Sequence, residues 1–189
     1  MTYIKTILRQ TTFALICTTT AFANQYTLGL SYNTITNKPL NYEKGSHAKG
    51  NNITTSIKED GGQKFFNIPT RLVLNLGYMD FKMNNATFQT LHIGYDKEIY
   101  YNINKVQLQA FLGIGYKFVD GKGTDNHRDD MLSSKVYARL GFGAFYSIAP
   151  KTSVGLLFTH FNNGDLTQQN FTHDFYGIGI NYKMGKSNS

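Results

Sequence analysis

Three polar side chains near the end of the chain are of the types that acid–base chemistry requires. They are His160, Asn162 and Asp174, and they flank a polar segment between two stretches of alternating apolar residues. An imidazole that is oriented by a carboxylate can accept and return a proton during hydrolysis. If the two stretches pair as a hairpin, the three side chains lie close together beside its loop, and we predict a site there.

The stretches on either side of this segment alternate as β-strands do. The residues that share the parity of His160 or of Asp174 are mostly apolar or aromatic: Val154, Leu156, Phe158, Tyr176, Ile178, Ile180 and Tyr182. Because successive side chains of a strand point to opposite faces, the polar residues fall on the same face as these apolar ones. The candidate site is therefore predicted to lie on the apolar, outward face of a sheet.

Similar alternation recurs along the chain in stretches that begin near Tyr26, Arg71, Gln89, Val106 and Val136. Several of them reach about 10 residues, the length that a tilted strand needs to cross a bilayer, and no window of about 18 apolar residues follows the N-terminal segment. Bacterial barrels have even strand numbers, so the weaker alternation in residues 51–58 is expected to supply an eighth strand. We predict an all-β fold, an eight-stranded antiparallel transmembrane β-barrel.

The N-terminal residues predict export. Lys5 and Arg9 precede an apolar and hydroxyl-rich run that ends in Ala21-Phe22-Ala23, the pattern of a secretory signal peptide with its cleavage site. We expect residues 1–23 to be the signal peptide and residues 24–189 to form the outer-membrane barrel.

Composition agrees with a barrel and narrows the possible chemistry. The sequence contains 13 Tyr, 14 Phe and 18 Gly, which suits strands with an aromatic exterior and small or polar side chains inside. Its single cysteine, Cys17, lies in the predicted signal peptide, so we expect no disulfide and no thiolate metal site. The net charge of +7 suits anionic lipid head groups, and export argues against nucleic acid as a partner.

Connections between the strands predict which end of the barrel faces which side. Short turns, which such barrels place at the periplasm, are expected at residues 59–62, 102–105 and 147–151. Longer connections are expected on the extracellular side, at residues 34–50, 82–87, 120–133 and 163–171. Strand direction then places His160 and Asp174 at the outer leaflet. On the opposite parity, a polar network is expected to fill the lumen, with the members Arg71, His92, Asp96, Lys117 and Arg139.

The segment His160-Phe161-Asn162-Asn163, with Asp174 fourteen positions after the histidine, resembles the end of the PagL-type lipid A deacylases. The pattern of that family is His-x-Ser-Asn followed by an acidic residue at this spacing. The resemblance extends loosely to residues 111–115 and to Ser153-Val154-Gly155, and it is strongest over the last third of the chain.

This resemblance implies an outer-membrane barrel that hydrolyses an acyl ester of lipid A without a cofactor. His160 would correspond to the general base, Asp174 to the acidic group that orients it, and Asn163 to an oxyanion-hole donor. Asn162 occupies the position of the nucleophilic serine, and an amide has no hydroxyl to form an acyl-enzyme. The implied partner is lipid A or lipopolysaccharide of the outer leaflet, and the implied location is the bacterial outer membrane.

Three interpretations follow from the missing serine. The protein is a family member that has lost hydrolysis and keeps the barrel and a contact with lipopolysaccharide, or it hydrolyses with a water molecule that His160 activates. Alternatively, the likeness reflects general barrel sequence, with His160 and Asp174 as an ion pair at the rim. The competing class of function is a noncatalytic barrel with a structural or surface-interaction role, adhesin-like or lipopolysaccharide-binding.

Overall fold

The computed structural model describes residues 26–35, 48–83, 86–123, 135–162 and 172–185. The predicted signal peptide and most of the predicted extracellular loops lie outside these ranges. The described residues form eight strands, which we number in chain order: β1 (Tyr26–Ile35), β2 (Ala48–Phe65), β3 (Ile68–Met83), β4 (Ala86–Ile103), β5 (Val106–Gly123), β6 (Val136–Ala149), β7 (Thr152–Asn162) and β8 (Thr172–Met184).

The eight strands form a closed antiparallel barrel. Each strand pairs with the next, and β1 also pairs with β8, for example Leu28 with Tyr182. Closure leaves no unpaired strand edge, so the backbone groups are satisfied by the neighbouring strands. The predicted fold class is confirmed. Among the described residues, none forms a helix with the length and apolarity needed to cross a membrane.

The prediction of a turn at residues 59–62 was wrong. Strand β2 continues through these residues, and the chain reverses at Phe66 and Asn67, whose φ angles of 47° and 64° are left-handed as a two-residue hairpin turn requires. The pairing of β2 with β3 shifts register between Glu59 and Gln63. A β-bulge therefore absorbs the glycine-rich residues that the sequence pattern assigned to a turn.

The other two predicted turns are present, and the strands extend into the predicted loops. Strand β4 ends at Ile103 and β5 begins at Val106, while β6 ends at Ala149 and β7 begins at Thr152. At the opposite end, β5 runs to Gly123. We call the end with the three short turns and both barrel termini the turn end, and the other the loop end.

The outward face is apolar and the lumen is filled. Large side chains of the outward parity are widely exposed, among them Leu112, Ile114, Leu156 and Ile178. Aromatic side chains close the lumen toward the loop end in a buried cluster of Ile35, Met79, Phe81, Ala86, Phe88, Tyr137, Phe161 and Phe175. A Cβ atom at Gly94 of β4 or at Gly115 of β5 would clash with the side chain of Tyr137. Both positions therefore need glycine to make room for this ring in the lumen.

An ionic network fills the lumen toward the turn end. Arg139 pairs with Asp96 at 3.2 Å, and Lys58 pairs with Glu98 at 3.1 Å. Arg71 donates its Nε–H to the other oxygen of Glu98 at 2.6 Å. The predicted lumen network is confirmed in Arg139 and Asp96.

The remaining predicted members of the network are also buried. The ring of His92 lies within hydrogen-bond distance of Asn52 Oδ1 at 3.2 Å and of the Tyr137 hydroxyl at 3.3 Å. Lys117 is 4% exposed. Lys58 and Glu98 also belong to the network but were not predicted from the sequence. Glu98 could have been predicted, because it lies two residues after Asp96 on β4 and so faces the same side of the strand.

Candidate active site

The closing hairpin places His160 of β7 directly opposite Asp174 of β8. The Nδ1 atom of His160 lies 2.7 Å from Oδ1 of Asp174. In the neutral imidazole that donates its Nδ1–H to the carboxylate, Nε2 carries the lone pair and can accept a proton. The hairpin therefore brings His160 and Asp174 into contact as predicted, and their roles as base and orienting carboxylate stay a prediction.

Both side chains lie on the outward face of the barrel. Their chain neighbours Phe161, His173 and Phe175 are buried in the lumen, where His173 packs 4.8 Å from the ring of Phe81. Since side chains alternate along a strand, His160 and Asp174 point outward. His173 therefore lies in the lumen and not beside the pair.

The pair is shielded although it faces outward. The side chain of Asp174 is 3% exposed and that of His160 is 15% exposed. Low exposure strengthens a hydrogen bond because little water competes for it. The imidazole is thus held in one orientation with part of its surface still accessible.

Asn162 follows His160 on the same parity and is half-buried at the end of β7, where its backbone pairs with Ala138 and Thr172. The structure therefore brings Asn162 to the same surface as the pair. Asn163 lies outside the described residues, and its role as an oxyanion-hole donor stays a prediction. The residues that the structure describes include no cluster of three or more His, Cys, Asp or Glu side chains arranged to hold a metal ion.

A row of aromatic side chains lies next to the pair on its turn-end side. The Phe158 ring packs 5.0 Å from Phe142 and 4.9 Å from Tyr176, measured between centroids. These residues are paired across β6, β7 and β8, one step along the strands from His160 and Asp174. The row gives the site a hydrocarbon-like wall.

A groove of about 690 Å³ opens beyond this row on the same outward face. Its floor is Ala144, which pairs with Leu108 on one side and with Leu156 on the other, so a small residue lies between two large ones. Ile178 continues the groove onto β8. Alternation along each strand assigns these positions to the outward face, but it does not predict the groove, because the neighbours of Ala144 on the flanking strands depend on register.

Comparisons with known proteins agree with the barrel. The structure is similar to that of Neisserial surface protein A (NspA), with a TM-score of 0.53 and 13% sequence identity over 85% of this chain and 97% of that chain. It is also similar to the outer membrane enzyme PagL, with a TM-score of 0.52 and 13% identity over 84% of this chain and 98% of that chain. No curated protein matches the sequence.

The sequence itself matches the profile of the lipid A 3-O-deacylase (PagL) family over residues 71–183. This range contains β4 to β7, most of β3 and β8, and both members of the His160–Asp174 pair. Because outer-membrane barrels place their short turns at the periplasm, we expect the turn end to face the periplasm and the pair to lie toward the outer leaflet. The chain is a bacterial outer-membrane β-barrel and belongs to the lipid A 3-O-deacylase (PagL) family.

Proposed function

We propose that this barrel hydrolyses an acyl ester of lipid A in the outer leaflet, with a water molecule as the nucleophile. The observation that carries the proposal is the 2.7 Å contact between His160 Nδ1 and Asp174 Oδ1 on the lipid-facing surface. A base and its orienting carboxylate are needed for hydrolysis, whereas a barrel with a purely structural role has no need of them at a lipid-facing position.

In the proposed reaction, Nε2 of His160 takes a proton from water as the water oxygen bonds to the ester carbonyl carbon. The tetrahedral intermediate then expels the sugar oxygen of lipid A, which takes the proton back from the imidazolium. The products are a fatty acid and an alcohol, so one water is consumed per ester. Asp174 stabilises the imidazolium that forms between the two steps.

The groove supports the choice of substrate. His160 lies four positions after Leu156 along β7, a distance of about 13 Å in an extended strand. An acyl chain in the groove would run from the ester at the pair toward the middle of the bilayer, past the aromatic row of Phe142, Phe158 and Tyr176. Contact with apolar walls holds such a chain without requiring a polar anchor.

Asn162 limits the rate that we expect. Hydrolases that lose a member of the triad still accelerate the reaction by roughly 10³ to 10⁴-fold over the uncatalysed rate in water. Substrate binding and oxyanion stabilisation supply this residual acceleration. We therefore expect slow deacylation. The same residue favours a second candidate function, a lipid A-binding barrel that no longer hydrolyses, because the amide replaces the nucleophile of the family.

Mass spectrometry of lipid A from cells with and without the protein separates the two functions. We compare the natural protein with His160→Ala, Asn162→Ser and the control Tyr95→Ala, which changes an exposed outward side chain on β4. The proposal expects loss of one acyl chain with the natural protein and the control, no loss with His160→Ala, and faster loss with Asn162→Ser. Each variant is first checked for folding by its migration on gels before and after heating.

The other outcomes are equally informative. If only Asn162→Ser removes an acyl chain, the noncatalytic lipid A-binding function replaces the proposed one. If His160→Ala remains as active as the natural protein, the pair is not the site. If no variant deacylates lipid A, including Asn162→Ser, hydrolysis at this surface is contradicted.

A further inference from the structure

A small cavity at the turn end lies at the periplasmic opening of the lumen, far along the barrel from the His160–Asp174 pair. It measures about 40 Å³, and its lining includes Arg71, Lys105, Lys151, Asn181 and Lys183. We call these five residues the periplasmic mouth. One water molecule needs about 10 to 15 Å³ of cavity volume, so this cavity has room for a group larger than a single water.

The periplasmic mouth carries positive charge only. Four of its five residues are cationic, and the described residues that line the cavity include no Asp or Glu. Deeper in the lumen, Glu98 is shared between Arg71 and Lys58, so one carboxylate serves two cations. Charge that is focused by the walls of a narrow opening attracts anions more strongly than charge on an open surface.

Asn181 brings a buried amide donor to the mouth, and it also lines the neighbouring cavity that contains Asp96 and Glu98. It is 5% exposed, and its Nδ2 atom has no hydrogen-bond partner among the described residues. Because a buried donor without a partner is destabilising, such groups normally meet a ligand or water. Lys183, two residues further along β8, has the same inward parity and also lines the cavity.

We propose that the periplasmic mouth binds a phosphate-class oxyanion. Guanidinium, ammonium and amide groups supply donors and no negative charge, which is the donor set that a tetrahedral oxyanion requires. The anion would accept from Asn181 Nδ2 and from the lysines around the opening. Its source is either free phosphate in the periplasm or the head group of a phospholipid in the adjacent leaflet, since both present the same chemistry.

Nuclear magnetic resonance tests the site directly. Protein purified from outer membranes with ¹⁵N label is placed in uncharged dodecyl maltoside micelles, and inorganic phosphate is titrated at constant ionic strength. We expect saturable shifts of the Asn181 side-chain amide and of the backbone amides of Lys105, Lys151 and Lys183. A parallel titration uses the short-chain lipid dihexanoyl phosphatidylglycerol, so that the head group can be compared with the free anion.

Two triple variants provide the matched comparison. Replacing Lys105, Lys151 and Lys183 with Gln removes three charges from the mouth, and replacing Lys49, Lys122 and Lys135 with Gln removes three exposed charges near the loop end. The first should raise the half-saturating phosphate concentration by about tenfold or more, since charge-assisted hydrogen bonds are lost. The second should leave it unchanged. Asn181→Asp, which adds a carboxylate to the cavity, should abolish the shifts.

The outcomes distinguish free phosphate from a lipid head group as the source of the anion, and they also decide whether the proposal holds. Saturation by inorganic phosphate assigns the site to the free oxyanion, and saturation by phosphatidylglycerol alone assigns it to the lipid head group. Absence of saturable shifts with either ligand means that the cavity holds only water, and the proposal is overturned. Equal weakening in both triple variants would show a general charge effect and would overturn it as well.

Discussion

At the scale of single residues, the proposed hydrolysis rests on the fixed orientation of one imidazole. His160 is held by a carboxylate that is itself almost fully covered, and the contact joins residues directly opposite each other in the strand ladder. Covered acceptors hold a hydrogen bond tightly because solvent does not compete. The charge of Asp174 is expected to matter as much as its shape, since the imidazolium forms only during the reaction.

Asp174→Asn tests this role of charge. The amide keeps the size of the side chain but cannot stabilise the imidazolium, so we expect fatty acid release from lipid A to fall by about 10² to 10⁴-fold. Asp174→Glu keeps the charge and serves as the control, with a smaller loss. Release is measured with purified protein in detergent, and equal rates for the two variants would show that the carboxylate has no role beyond packing.

At the scale of the strands, β5, β6, β7 and β8 together build the lipid-facing surface beside the pair. Ala144 pairs with Leu108 of β5 and Leu156 of β7 and forms the floor of the groove. The row of Phe142, Phe158 and Tyr176 separates the groove from His160. No single strand contains the groove. Its shape depends on three neighbouring strands that present large, small and large side chains at one level.

Ala144→Phe should fill the groove without touching the pair. Because an acyl chain would lose its apolar contacts, we expect the lipid A concentration for half-maximal deacylation to rise by about tenfold, the effect of losing roughly 1.4 kcal/mol of binding. The control Ile93→Phe adds a ring on the outward face of β4. A rise of the same size in both variants would exclude the groove as the acyl-chain site.

At the scale of the whole barrel, the interior combines an aromatic plug with an ionic network. The plug lies toward the loop end, and the network of Lys58, Arg71, Glu98, Asp96 and Arg139 lies toward the turn end. The network joins strands that are distant in sequence, since Lys58 of β2 binds Glu98 of β4 and also donates to Gln109 of β5 at 3.0 Å. Barrel stability should therefore depend on the buried carboxylates.

Glu98→Gln should destabilise the barrel strongly. The change leaves Lys58 and Arg71 buried without their shared negative charge, and loss of one partner from a buried ion pair costs about 3 to 5 kcal/mol. Urea unfolding in lipid vesicles measures this free energy. The control Glu59→Gln alters an outward residue beside the bulge and should change the stability by less than about 1 kcal/mol, because Glu59 pairs with none of the buried cations that the structure describes.

The sequence by itself determined which residues face outward and which face the lumen. Alternation is a local property of extended backbone, so the parity of His160 and Asp174, the inward placement of His173 and the number of strands could all be read from it. The roles of His160 as base and Asp174 as orienting carboxylate were implied by the family resemblance, not by the alternation. Asn162 at the serine position is also a fact of sequence alone.

Tertiary structure decided the contacts between strands. Pairing of β7 with β8 places His160 opposite Asp174 rather than one step away, and a shift of one residue would turn one of the two side chains inward. The bulge that moves the first turn to Phe66 and Asn67, the sharing of Glu98 by Lys58 and Arg71, and the hollow over Ala144 arise in the same way. They depend on register between strands, which local alternation does not specify.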